Sequence, residues 1–372
     1  MKNYLSQLNY KDYGIAAVSL VVLMACLSNG LTQTYDSQLY LAGSKHIEQY
    51  SFGNLFSCGS FRAKPPLYPL VLYILGNNEF LISISHIAFH AISLLVIIIL
   101  INQLIFTQAY RLFAKIIIGM STPLLMIQDL LLPESLFMLI WNFHLIVLFV
   151  LCQQPSRKLF CLLVLTSIMM ISLRHIGIAL VFISGLFTCL RFKNDSLKTF
   201  SFLNFIVPIG LFAGWQYALY LNVGHTKRLH HFSGLDITGN AQEVLLQFTK
   251  WFVPSTHILY LDIALTFCVL GILSYLFILA LSQSSSSFMN FCAFLSTAFI
   301  GFIILKGDLI YSDIERYLSL IFLPMFLLIA TGLGHFELRH NMGQYLMRSM
   351  LLIWLMYPCV RLIKNVALWS GF

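Results

Sequence analysis

With 372 residues, of which 59% are hydrophobic and only 10% charged, and a mean hydropathy of +0.84, the chain lies far outside the soluble range and reads as a polytopic membrane protein. The formal charge of +8, from 22 Lys and Arg against 14 Asp and Glu, comes without a basic run, so it reports membrane topology or anionic lipid and not nucleic acid. The eight cysteines are scattered through mostly apolar runs without CxxC spacing, and they read as small core residues, not as zinc ligands or a redox pair.

Apolar windows of the about 20 residues that a membrane helix needs recur along the chain. The first, about 12 to 31, ends in Ser28-Asn29-Gly30-Leu31 with no small-x-small cleavage site, which marks an uncleaved first helix. Others follow at about 82 to 105, 112 to 130, 135 to 152, 159 to 174, 176 to 190, 200 to 221, 257 to 281, 289 to 306, 317 to 334 and 347 to 361, roughly eleven spans in all. Short polar turns such as Gln153 to Lys158, Arg191 to Asp195 and Ser284 to Ser287 separate them. The expected fold is an all-α, polytopic membrane helix bundle forming one domain over 1–372, with no separate soluble domain.

Two long polar loops interrupt the bundle, at about 31–81 and about 222–256. The short loops carrying Lys2, Lys11, Arg111, Lys115, Arg157, Lys158, Arg191, Lys193 and Lys198 fall on one side, which the positive-inside rule makes cytoplasmic. Both long loops then lie outside, as does the C-terminus. In the first loop, Ser37 to Phe56 reads as an amphipathic helix with Leu39, Ala42, Ile47 and Tyr50 toward lipid. Leu67 to Leu75 reads as a second interfacial helix, introduced by Pro65 and Pro66. Lys45, Arg62, Lys64, Lys227, Arg228, Lys250 and Arg316 are cations on the translocated side, against the usual bias, and a phosphate ligand accounts for them as well as plain solvation does.

The chemistry-bearing residues gather at the ends of the first loop and at outer helix ends: Asp36 with Tyr40, the run Lys64-Pro65-Pro66-Leu67-Tyr68-Pro69, Glu134, Arg174, and Asp313-Ile314-Glu315-Arg316-Tyr317. A carboxylate or cation this close to hydrocarbon needs a partner or water. Each also has a plainer reading: Asp36 as a helix cap, Lys64 as loop charge, Glu134 and Arg174 as interfacial residues reaching for headgroups. His86 and His90, four apart on an apolar helix, and His225, His230, His231 and His257 around the second loop lack an HExxH or a third ligand at fixed spacing, so packed and hydrogen-bonded histidines are expected. No cofactor is expected.

The Asp after the first helix, followed by Lys-Pro-Pro-Leu-Tyr-Pro, resembles the first external loop of the GT-C glycosyltransferases, nearest the branch of protein O-mannosyltransferases and lipid A aminoarabinose transferases. Glu134 resembles the glutamate that begins the corresponding helix in many of them, Arg174 stands where relatives carry an arginine, and Asp313 to Tyr317 is similar to the family's Asp-x-x-Arg-Tyr. Two departures bear on substrate. Ala63 stands where some aminoarabinose-branch relatives place a zinc-holding Glu, which argues against metal, and Asp36 is followed by Ser37 where mannosyltransferases often have Asp-Glu, which weakens a protein acceptor.

No Gly-rich phosphate loop supports a nucleotide sugar as direct donor. The resemblance implies an inverting membrane glycosyltransferase that moves a hexosyl or pentosyl group from a polyprenyl-phosphate sugar to a hydroxyl or phosphate of an acceptor glycan, lipid or protein at the outer face of the plasma membrane. On that reading Asp36 is the general base, Lys64, Arg316 and Arg174 hold the donor phosphate, and Glu134, Tyr68 and Tyr317 serve the acceptor or support the site. Glu134 has two alternatives, orienting the acceptor or pairing with one of the cations. A transporter or flippase of a lipid-linked sugar would use similar cations, but the charges sit at outer helix ends and no half-to-half symmetry stands out. A structural subunit would leave the first-loop charges without a role.

Overall fold

The computed structural model describes residues 8–50, 58–62, 64–105, 107–126, 128, 130–193, 197–223, 237–256, 258–284, 286–305, 311–340 and 344–369. Helices dominate, and among the described residues the only strand-type pairing is a bridge between Thr32 and Leu130. The helices are α1 (Tyr10–Cys26), α2 (Tyr35–Tyr50), α3 (Leu67–Ile74), α4 (Glu79–Leu104), α5 (Gln108–Gly119), α6 (Thr122–Met126), α7 (Glu134–Gln153) and α8 (Arg157–Leu173). There follow α9 (Gly177–Arg191), α10 (Lys198–Val223), α11 (Ile237–Thr249), α12 (Leu259–Gln283), α13 (Ser287–Leu305), α14 (Tyr311–His340) and α15 (Gln344–Trp369).

A helix stands at each of the expected spans. Among the described residues, eight are long and apolar enough to cross a membrane: α1 with the turn after it, α4, α7, α10, α12, α13, α14 and α15. The other three are shorter. Helix α5 has 12 residues, α8 has 17 and α9 has 15. At 1.5 Å per residue a 12-residue helix reaches only about 18 Å. Sequence explains where they stop, since Ser121-Thr122-Pro123 follows α5 and a tight reversal at Arg174 to Gly177 divides α8 from α9.

The chain forms two compact units, Met1–Asn29 with Leu94–Met126 and Leu235–Phe372, and Gly30–Ser93 with Ile127–Gly234. In the first unit α14 is the central helix, with Leu318, Ile321, Phe322, Leu327 and Leu328 all buried. Helix α11, in what reads from sequence as the second external loop, buries Val244 and Phe248 there and so is packed structure, not open loop. Residues 224–236 of that loop, with His225, His230 and His231, and also His257, lie outside the described residues. Lys115 is no solvated loop charge: it is buried on α5 and paired with Asp12 at the start of α1. Asp12 also closes a capping box with Asn9 and accepts a hydrogen bond from Asn102 at 3.3 Å.

In the second unit α3 begins one residue past Pro66, as the two prolines predict. Helix α2 runs from Tyr35 to Tyr50, but its buried face differs from the expected one. Ser37, Tyr40, Gly43, Ser44 and Ile47 are inward, whereas Ala42 and Tyr50 are exposed. Ile47 faces no lipid; it packs with Cys58, Phe61 and Leu219. Small residues decide this. A Cβ on Gly43 would sit 3.0 Å from the Phe61 ring and 3.2 Å from Pro69, so only glycine lets α2 lie this close to α3. Ser44 adds a 2.7 Å hydrogen bond to Asn77 just beyond α3.

Candidate active site

Two helix starts come together in the second unit. The Thr32–Leu130 bridge is parallel, with the Leu131 N–H donating to the Thr32 carbonyl at 3.0 Å, and a helix begins shortly after each strand residue. One carries Asp36 in its first turn, the other Glu134. Asp36 does not cap α2. That is done by Thr34, which exchanges hydrogen bonds with Ser37 as the Thr34 N–H donates to the Ser37 hydroxyl at 3.0 Å and the Ser37 N–H to the Thr34 hydroxyl at 3.3 Å. The Asp36 side chain is thereby left for other contacts.

Its partner is Lys64, whose Nζ lies 2.5 Å from Asp36 Oδ2. The lysine is nearly buried, while 36% of the Asp36 side chain is exposed. Lys64 also sits over the Tyr40 ring, 5.5 Å from its centroid, within cation–π range. Tyr40 is one helical turn beyond Asp36, so both project from one face of α2. Beneath it lies Tyr68, edge-on to the Tyr40 ring at 5.2 Å between centroids and 89° between planes. The Tyr68 hydroxyl is 3.3 Å from His86 Nε2, and His86 Nδ1 is 3.0 Å from the Gln128 carbonyl. Burial, then the charge of Glu134, then Tyr40 hold the Tyr68 phenol well above its usual value, so it stays a neutral hydrogen-bond donor.

Glu134 pairs with Arg174, Oε1 to Nη1 at 3.1 Å, both side chains being largely buried. Of its two sequence readings, the structure displays the pairing with a cation. Arg174 is the residue at which α8 ends, its N–H donating to Met170. Gly177 makes the following reversal possible, because a Cβ there would lie 2.7 Å from the Met170 carbonyl oxygen. A cavity of about 240 Å³ lies between the residues next to Lys64 and those next to Arg174: Pro65 and Pro66 on one side, Ser172 and His175 on another, with Pro208, Phe212 and Trp215 of α10 in its wall. It is mostly apolar.

Of the residues singled out in the sequence, Asp36 and Lys64 meet, Glu134 and Arg174 meet, and Tyr68 supports the first pair from below. Arg316 and Tyr317 belong to the other unit, on α14, where the neighbouring Glu315 pairs with Arg361 at 2.5 Å. His86 was expected as a packed, hydrogen-bonded histidine and is one. Its partner Tyr68 was not legible, because nothing in the linear spacing ties a short loop helix to a membrane helix. The aromatic bed under Lys64 had a signal, namely the four-residue spacing of Asp36 and Tyr40 on one helix.

The described residues form an all-α, multi-pass membrane helix bundle. Among solved structures, it is similar to ArnT from Cupriavidus metallidurans, in a crystal structure bound to undecaprenyl phosphate, with a TM-score of 0.56 at 14% identity over 86% of this chain. The chain spans 59% of the length of that neighbour. No protein-family description matches the chain. No curated protein matches it either.

Proposed function

We propose that the protein is a membrane glycosyltransferase that takes a sugar from a polyprenyl-phosphate carrier and transfers it, with inversion, to an acceptor at the outer face of the plasma membrane. The observation that carries this reading is the nearly buried Lys64 paired with a half-open Asp36 beside an apolar cavity. A lipid phosphate needs a cation and an apolar trough together, and a base needs access to its substrate. At about 240 Å³ the cavity is smaller than the ~300 Å³ at which pockets for small ligands usually begin. It suits the first prenyl units of a carrier whose remaining tail stays in lipid. The undecaprenyl phosphate bound to the ArnT neighbour supports the same donor class.

In this mechanism Lys64 serves two anions in turn. Without donor it neutralises Asp36. When the donor phosphate arrives it competes for the ammonium, and the Asp36 carboxylate is released to accept the proton of the acceptor hydroxyl. That oxygen attacks the anomeric carbon as the bond to the phosphate oxygen breaks, and a single displacement inverts the centre. Negative charge grows on the leaving phosphate, so Lys64 stabilises the transition state more than the bound donor. Glu134 keeps Arg174 fixed beside the same cavity as a second cation. Arg316 keeps a phosphate-binding role on its motif alone.

The test is to extract lipid-linked intermediates from cells with and without the gene. A polyprenyl-phosphate sugar that accumulates in its absence, on the outer leaflet, supports the reading. Accumulation confined to the inner leaflet points to a flippase instead, and no change removes both.

A further inference from the structure

The proposed reaction uses Asp36 and Lys64 but gives no role to the column of side chains beneath them. Lys64 rests on the Tyr40 ring, Tyr40 meets the edge of Tyr68, and Tyr68 reaches His86 at 3.3 Å. Tyr40, Tyr68 and His86 are all at most 3% exposed. A carbonyl oxygen can only accept, so the 3.0 Å contact from His86 Nδ1 to Gln128 puts the ring proton on Nδ1. The neutral ring then offers Nε2 as an acceptor, and the Tyr68 hydroxyl donates to it. This hydrogen bond anchors the hydroxyl end of Tyr68, and with it the place of the ring edge against Tyr40. Helix α4 is itself held there, since the Ser135 hydroxyl, next to Glu134, donates to the His86 carbonyl at 3.4 Å.

We propose that His86 is a positioning residue for Lys64: by holding the Tyr68 hydroxyl it sets the Tyr40 ring, and the ring holds the ammonium against Asp36. The alternative is a histidine that merely fills space between α4 and the segment before α7. The two differ in what happens to Lys64. In a merely structural role, loss of His86 lowers stability and leaves the lysine where it is. In the positioning role, loss of either end of the Tyr68–His86 bond releases it.

The inference rests on the glycosyltransferase reading for its purpose, but its primary test does not need the donor. Purified protein in detergent is treated with an amine-acetylating reagent, and labelling of Lys64 is measured by peptide mass spectrometry against Lys45, which is exposed on the same helix-loop segment. In the wild type Lys64 is strongly protected. His86→Phe and Tyr68→Phe each raise its labelling by a similar factor, about threefold to tenfold for one hydrogen bond. The double variant is no worse than either single one, because both break the same link. His86→Gln, whose amide oxygen can accept from Tyr68, keeps most of the protection. Leu163→Ala, a cavity in the buried part of α8, lowers the melting temperature without changing Lys64 labelling. If His86→Phe does not fold, Tyr68→Phe, which removes only a hydroxyl, carries the test. Lys64 labelling equal to wild type in Tyr68→Phe overturns the proposal. A parallel measurement of undecaprenyl phosphate binding separates it from the reading beneath it. Altered labelling with no binding by the wild type leaves the positioning role standing and removes the glycosyltransferase.

Discussion

Two aspartate–lysine pairs occur in the described part of the chain, and they are built in opposite ways. In Asp12–Lys115 both side chains are at most 5% exposed, and the Asp12 oxygens also accept from the Asn9 N–H at 3.1 Å and from Asn102. In Asp36–Lys64 only the lysine is buried, and its other neighbour is the face of an aromatic ring. The first pair is closed, with the Asp12 oxygens committed to Lys115, to the Asn9 cap and to Asn102. The second leaves a carboxylate facing outward, held by a lysine that is itself largely buried. A closed pair defines how helices pack, whereas an open one can exchange partners. On the proposed function, the same two residue types serve structure in one unit and chemistry in the other.

The largest stability effect should come from the closed pair. Lys115→Ala leaves Asp12 buried without its counter-ion, which costs about 3–5 kcal/mol. Denaturation in detergent should show it, and activity should fall only as far as the folded fraction falls. Lys64→Ala should behave in reverse. Its stability cost is at most about 1 kcal/mol, as for a pair with one solvated member. Donor use should drop by about ten- to a hundred-fold, as for one charge-assisted contact of about 1.5–3 kcal/mol. If Lys64→Ala instead unfolds the protein while turning over donor normally per folded molecule, the contrast between the pairs is lost. The smallest effect is expected from Asp12→Leu combined with Lys115→Met. Replacing both members of a closed pair by apolar groups is near neutral or stabilising, and a melting temperature within a few degrees of wild type would show it.

Much of the frame is legible in the sequence, and the reason is periodicity and length. Each expected apolar window became a helix, and Lys64-Pro65-Pro66 introduced α3 as its prolines require. The pairings were not legible. Asp12 and Lys115 are 103 positions apart, and Lys115 by itself reads as an ordinary cytoplasmic-loop charge. Glu134 and Arg174 read equally well as interfacial residues reaching for headgroups. The inward face of α2 was misread because Gly43 and Ser44 carry no apolar signal, yet their small size is what lets α3 pack there. The orientation still rests on the positive-inside rule, with Lys115 now paired instead of solvated. It can be tested with Lys45→Cys in a background without native cysteines: Lys45 is exposed, and labelling by an impermeant thiol reagent should need no membrane permeabilisation.

The central claim is that Asp36 is a base which Lys64 releases when it takes the donor phosphate. Asp36→Asn tests it most directly. Asparagine keeps the size and most hydrogen bonds but cannot accept the proton at neutral pH. With Thr34 capping α2, no cap is lost. Lys64 then has no carboxylate to leave, so undecaprenyl phosphate should bind the purified variant at least as tightly as wild type. Transfer to acceptor should fall by about a hundred- to ten-thousand-fold, the usual cost of losing a general base. Near-normal transfer by this variant, or donor binding lost together with transfer, would contradict the account.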